Sequence, residues 1–139
     1  MAVDTLSREA QQAIEHFERK LNFEIGPIGL ERALQNNEPV QVVDLRVADL
    51  YAKGHVPGAL NISYEQLEAD TSNLSKDKTI VVYCYDIVCH LSAKAALLLA
   101  KKGFKVKELI GGFEDWAKHS QQIETSPATK GSSCGSSCG

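Results

Sequence analysis

Apolar residues recur along this chain with two different periods, which divides it into helices and short buried strands. The segment 5–20 has apolar residues at helical spacing among charged ones, and this pattern predicts an amphipathic helix. A second helix is predicted from Pro27 to the Asn36–Asn37 pair, which ends it. The apolar positions of the first helix are Leu6, Ala10, Ala13, Ile14 and Phe17.

Short runs rich in β-branched residues follow, as expected of buried parallel strands. The most apolar of them is TIVVYC, and the helix that comes next along the chain is closed by Gly103 in the usual C-terminal position. Strands are predicted at 40–45, 59–63, 79–84 and 106–110, and helical segments at 46–53, 64–70, 90–103 and 113–120.

The alternation of strands and helices predicts an α/β fold, because parallel strands need crossover connections. We expect an open parallel β-sheet flanked by helices on both faces, with an extra N-terminal helix. The predicted organisation is a helical extension over 1–25, one domain over 26–121, and a disordered Ser/Gly-rich tail over 122–139, where periodicity is lost.

Composition narrows the classes of function. The 139 residues suit one domain, 43% of them are hydrophobic and 24% charged, and the net charge is −3. This balance favours neither nucleic acid nor an anionic membrane as a partner. No apolar run approaches the roughly 20 residues that span a bilayer. The N-terminus has charges where a signal peptide needs an apolar core, so a cytoplasmic location is expected.

The four cysteines are candidates for chemistry rather than for disulfides, because the expected environment is reducing. Cys134 and Cys138 belong to the tail GSSCGSSCG. They are either incidental thiols or a mobile relay for a reactive cysteine of the folded part, and a C-x3-C pair in a Ser/Gly run is a weak metal signal, so no metal is expected. Cys84 and Cys89 remain for the folded part.

Cys84 ends the most apolar strand, directly before a loop and a helix. In an open α/β sheet, ligands bind beyond the carboxyl ends of the strands. Backbone N–H groups of such a loop stabilise a thiolate and lower its pKa, which predicts a nucleophilic sulfur. The alternative is a small buried apolar side chain at a strand end.

The chain resembles rhodanese-like domains at several motifs in order. These are Asp44 and Arg46 after the first core strand, the run GHVPGA that contains His55, the strand end VVYC, and the closing IGGFEDW. The resemblance covers about residues 38 to 119. It implies a fold on a central parallel sheet, with Cys84 as the cysteine that forms a persulfide, and no metal or organic cofactor.

The resemblance also implies the reaction, a sulfur transfer in two half-reactions. Cys84 takes a sulfane sulfur from a small sulfur donor or a persulfide-carrying protein, and a thiol acceptor removes it. The backbone of the 85–91 loop would hold the persulfide. His55, Asp44 and Arg46 are expected to support the fold around the site. The loop residues are Tyr85, Asp86, Ile87, Val88, Cys89, His90 and Leu91.

The 85–91 loop departs from the family pattern in length and charge. Seven residues separate Cys84 from Ser92, two more than is usual, and none of the seven is a glycine or an arginine. Asp86 would repel a dianionic donor, so we expect poor thiosulfate turnover. The related phosphatases have an arginine six positions after the cysteine. The residue there is His90, which argues against that activity.

Cys89 is the second departure, five positions after Cys84. It is either a resolving or redox partner that attacks the persulfide on Cys84, or a buried residue that packs the base of the helix. His90 either orients a donor or is exposed at the helix start. An alternative to sulfur transfer is therefore a non-catalytic rhodanese-like module that binds a partner or senses redox state through Cys84 and Cys89.

Overall fold

A computed structural model describes residues 5–120 and 122–126, and over these ranges helices and strands alternate strictly. The helices are α1 (Arg8–Phe23), α2 (Pro27–Gln35), α3 (Ala48–Lys53), α4 (Tyr64–Ala69), α5 (Leu91–Lys101) and α6 (Gly112–His119). The strands are β1 (Glu24–Ile25), β2 (Val40–Asp44), β3 (Leu60–Asn61), β4 (Thr79–Tyr83) and β5 (Lys105–Leu109).

The strands form one sheet in the order β1-β5-β4-β2-β3, and every pairing in it is parallel. Asp44 at the end of β2 pairs with Tyr83 at the end of β4. The carboxyl ends of the central strands therefore meet at one edge of the sheet. The prediction of an open parallel sheet with an extra N-terminal helix is confirmed.

Two apolar cores cover the two faces of the sheet, because successive side chains of a strand point to opposite faces. From β4, Ile80 and Val82 enter one core together with residues of α4 and α5, and Val81 and Tyr83 enter the other together with residues of α2 and α6. The principal helix side chains in these cores are Leu67, Ala95 and Leu99 on the first face and Leu30 and Trp116 on the second.

Residues on both sides of the predicted domain pair with it through backbone hydrogen bonds. β1, which lies within the predicted helical extension, pairs with β5 and forms an edge of the sheet. Two residues are too short to show an alternating pattern, so no local signal indicates this strand. At the other end, Glu124 exchanges two backbone hydrogen bonds of 2.9 Å with His55. Residues 122–126 thus pair with the domain through His55.

The remainder of the predicted tail, residues 127–139, lies outside the described residues, and Cys134 and Cys138 lie there with it. Within the described ranges, no helix combines the length and the apolar character needed to cross a bilayer.

Candidate active site

Cys84 lies at the carboxyl edge of the sheet, one residue beyond the end of β4. The end of β2 is adjacent on one side, and the turn from β5 into α6 lies on the other. Its side chain points into the fold, with 1% of the residue exposed. This is the edge of an open α/β sheet at which ligands bind.

Cys89 contacts Cys84 directly. The two Sγ atoms are 3.1 Å apart, in a thiol–thiol hydrogen bond, and both cysteines are free. Cys84 is buried and Cys89 is partly exposed. The 85–91 loop therefore folds back on itself, so that a partly exposed thiol contacts a buried one.

Asp86 makes the turn that brings Cys89 inward. Its Oδ1 accepts a hydrogen bond of 3.2 Å from the Val88 N–H, and its backbone carbonyl accepts one of 3.2 Å from the Cys89 N–H. An aspartate that binds the amide two residues later is a typical turn former. Ile87 and Val88 at the apex of this turn are 71% and 77% exposed.

The start of α6 fixes the opening residues of the 85–91 loop. The Phe113 N–H donates to the Cys84 carbonyl and the Glu114 N–H to the Tyr85 carbonyl, both at 3.0 Å. Gly112 makes this close approach possible: a Cβ on it would lie 2.8 Å from the Cys84 carbonyl oxygen and 2.9 Å from the Asp86 nitrogen. Gly112 also has a φ of 61°, which favours glycine.

Burial, and to a smaller extent the hydrogen bond with Cys89, together raise the pKa of the Cys84 thiol to about 12. The Tyr85 amide opposes this shift, but its effect is smaller. The expectation of a lowered pKa for Cys84 is therefore wrong for this arrangement, although the Tyr85 amide acts in the expected direction. Desolvation of a thiolate outweighs one amide hydrogen bond, so Cys84 is a neutral thiol while Cys89 covers it.

A buried ion pair braces the site from the end of β2. Asp44 is fully buried, and its carboxylate accepts hydrogen bonds from the Arg46 side chain at 2.9 and 3.2 Å and from the Tyr83 hydroxyl at 2.5 Å. Arg46 also donates to the Gly54 carbonyl at 2.5 Å, and its guanidinium lies 4.2 Å from the centre of the Phe113 ring. Nε and Nη2 of this guanidinium are thus engaged within the fold.

His55 joins the GHVPGA turn to the C-terminal segment. Its ring stacks on Tyr51 with centroids 3.7 Å apart, and Nδ1 lies 2.6 Å from the Tyr51 carbonyl oxygen. Nε2 lies 3.3 Å from a carboxylate oxygen of Glu124. His55 is buried, and these contacts place it in the framework of the fold rather than beside Cys84.

Residues at and next to the two ends of the 85–91 loop differ in burial and contacts. His90 occupies the N-cap position, is exposed, and makes no capping hydrogen bond through its side chain. Leu91 packs against the core shared with α4. Ser92 is buried, and its hydroxyl donates to Glu108 of β5 at 2.9 Å. Tyr85 is 39% exposed at the mouth of the site.

Sequence reasoning missed three contributors to the site: Tyr83, Phe113 and Glu124. Tyr83 had a signal, because a tyrosine in a buried strand needs a partner for its hydroxyl. Here the hydroxyl donates to Asp44 and accepts from the Val56 N–H, and burial raises the pKa of Tyr83. The contacts of Phe113 and Glu124 depend on tertiary packing that no local pattern indicates.

Among residues 5–120 and 122–126, no group of three or more His, Cys, Asp or Glu side chains is arranged to hold a metal ion. The described site contains two thiols in contact, held at a sheet edge by a buried ion pair and by the start of α6.

Comparison with known proteins shows the family to which this chain belongs. The family model of the rhodanese-like domain matches residues 29–119, and the chain belongs to this family. The match includes the end of β4 with Cys84, the 85–91 loop and all of α6.

Relatives and solved structures agree with this assignment. The chain is 36% identical over 87 residues to a thiosulfate sulfurtransferase of Coxiella burnetii, which covers 62% of this chain and 79% of the relative. It is 32% identical over 101 residues to a sulfurtransferase of Allochromatium vinosum, covering 72% and 92%. The crystal structure of the BH2092 protein of Bacillus halodurans superimposes with a TM-score of 0.78 at 37% identity, covering 84% of this chain and 86% of that one. The family thus includes relatives named as sulfurtransferases.

Proposed function

We propose that this protein is a sulfurtransferase that carries a sulfane sulfur as a persulfide on Cys84. The observation that carries the proposal is the position of Cys84, the first residue after the central strand β4, beside the Tyr85 amide and opposite the start of α6. The sulfurtransferase names of the relatives support the same reaction.

The proposed reaction is a displacement at sulfur. The Cys84 thiolate attacks the terminal sulfur of a donor R–S–SH, the donor S–S bond breaks, and the products are Cys84–S–SH and R–S⁻. A thiol acceptor then takes the outer sulfur and restores Cys84. Since Cys84 is 1% exposed and Cys89 lies against it, the 85–91 loop must move outward before the donor can enter.

Mass spectrometry after exposure to donors tests this proposal. With an alkyl persulfide as donor, we expect Cys84 of a Cys89→Ser chain to gain about 32 Da, the mass of one sulfur atom. Adding Cys84→Ser should abolish this gain, and adding Cys134→Ser/Cys138→Ser should leave it unchanged. A disulfide between Cys84 and Cys89 with no persulfide under any donor, and no release of sulfide, would instead favour the redox-sensing module.

We further propose that the donor is a persulfide rather than thiosulfate. The Val88 and Cys89 N–H groups already bind Asp86, so they are not free to receive a dianion. Arg46 is engaged with Asp44 and Gly54, and the exposed apex of the 85–91 loop is apolar. The site thus offers a small anion little compensation for its lost hydration.

Adding one positive charge at the loop apex should improve thiosulfate turnover. At the surface, one favourable charge contact contributes about 1 kcal/mol, so we expect Ile87→Lys to lower the KM for thiosulfate roughly fivefold. Ile87→Gln is the matched control, since it removes the apolar side chain without adding charge, and it should leave the KM high. A thiosulfate KM in the low micromolar range for the natural chain would refute the donor assignment.

A further inference from the structure

We infer that Cys89 resolves the persulfide on Cys84, so that the protein releases the transferred sulfur as sulfide and becomes a Cys84–Cys89 disulfide. This inference rests on the proposed function, because it begins from the Cys84 persulfide. It adds an activity: reduction of sulfane sulfur, with the protein's own second thiol as the electron source.

The distance between the two thiols supports direct reaction. The Sγ atoms are 3.1 Å apart, and a disulfide bond is about 2.05 Å long. A closure of about 1 Å therefore forms the bond, which is within the range of side-chain and loop adjustment. Two sulfur atoms held at this separation in the reduced protein constitute a near-attack arrangement.

The direction of approach selects the inner sulfur of the persulfide. Cys89 Sγ already contacts Cys84 Sγ, the atom that becomes the inner sulfur. The outer sulfur has to occupy a different side of this atom. In the rotamer whose S–S bond points away from Cys89, the Cys89 thiol lies in line for a displacement with the outer sulfur as the leaving group.

The step balances with the groups named. Cys84–S–S⁻ and Cys89–SH give Cys84–S–S–Cys89 and HS⁻: the Cys89–Cys84 bond forms, the persulfide bond breaks, and the proton of Cys89 leaves with the sulfide. The outer sulfur gains two electrons and the cysteine pair loses two. An external dithiol then reduces the disulfide by thiol–disulfide exchange and returns both cysteines to thiols.

Asp86 is the positioning residue for this step. Its Oδ1 and its backbone carbonyl hold the Val88 and Cys89 amides in the turn that directs Cys89 toward Cys84. The side-chain contribution needs an oxygen acceptor but no charge, so asparagine can make the same turn and alanine cannot. Comparing Asp86→Asn with Asp86→Ala therefore distinguishes a positioning role of Asp86 from an electrostatic one.

A single-turnover experiment on the full-length chain tests the inference. The protein carries Cys134→Ser and Cys138→Ser, is exposed anaerobically to glutathione persulfide, and is then freed of excess reagent. The parent chain should release about one sulfide per loaded Cys84 and lose about 2 Da as the disulfide forms. Cys89→Ser should keep the gain of about 32 Da, with a persulfide lifetime about tenfold longer or more. Cys89→Ala, which also lacks the thiol, should behave as Cys89→Ser does.

The outcomes separate this inference from the proposed function. If the parent keeps its persulfide as long as Cys89→Ser does, or if the sulfur moves intact to Cys89, resolution is refuted and sulfur transfer stands. If neither chain forms a persulfide or a disulfide, the proposed function fails and the inference with it. For Asp86→Ala we expect slower disulfide formation, and Asp86→Asn should restore the rate; equal rates in all three chains would refute the positioning role.

Discussion

Replacing Gly112 with alanine is expected to lower the rate of sulfur transfer about 100-fold. The added Cβ would lie 2.8 to 2.9 Å from backbone atoms of Cys84, Tyr85 and Asp86, and backbone atoms cannot rotate out of its way as a side chain can. Either the 85–91 loop or the start of α6 must shift. Misplacement of a reacting group by about 1 Å costs on the order of 100-fold in rate.

The same substitution should destabilise the fold by about 2–4 kcal/mol, because a non-glycine residue at positive φ is strained and the contact is overpacked. Gly58→Ala is the matched control. Gly58 also has a positive φ, 80°, but a Cβ there would meet nothing within 4 Å. Single-turnover transfer and thermal unfolding measure both variants, and full activity in Gly112→Ala would show that the loop tolerates displacement.

Replacing Asp44 with alanine is expected to cost about 3–5 kcal/mol of the free energy of unfolding. The loss exceeds that of an ordinary ion pair because three groups lose their acceptor at once. The Arg46 guanidinium would remain buried without its counter-ion, and the Tyr83 hydroxyl and the Arg46 N–H would each lose a partner. For a domain of this size, the melting temperature should fall by about 10 °C or more.

The exposed pair Lys20–Glu24 provides the comparison for Asp44. Its atoms are 2.7 Å apart, closer than the 2.9 Å between Arg46 and Asp44, but its side chains are 54% and 32% exposed. Lys20→Ala should cost less than about 1 kcal/mol, because surface pairs are screened by solvent. If Asp44→Ala melts within a few degrees of the natural chain, the buried network does not brace the fold as described.

The fold was predictable from sequence because most of its elements are periodic and apolar. The strand over 79–84 and the helix closed by Gly103 have local signals, and the structure places β4 at Thr79–Tyr83 and ends α5 just before this glycine, whose φ is 93°. β1 was not predictable, since two residues carry no period. β1 directly follows α1, and its place at the edge of the sheet depends on pairing with β5, which is distant in sequence.

The position of Cys84 in the fold was predictable from sequence, but the ionisation state of its thiol was not. The end of β4 and the motif resemblance both indicated Cys84, and its distance from Cys89 along the chain suggested contact. The ionisation of Cys84 was predicted with the wrong sign, because sequence shows which amides are near but not how deeply the thiol is buried. Asp86 was expected to act as a charge near the donor, whereas its contacts within the 85–91 loop are those of a turn former.

The pairing of His55 with Glu124 affects which domain boundaries a fusion protein should use. A fusion built on the matched boundaries 29 and 119 would discard both β1 and residues 122–126. β5 would then present a bare strand edge, open to pairing with other chains, and the Trp116 indole N–H would lose the Gln122 carbonyl that it binds at 2.7 Å. A chimera that keeps residues 24–126 retains both β1 beside β5 and the Gln122 carbonyl bound by Trp116, so it avoids both losses.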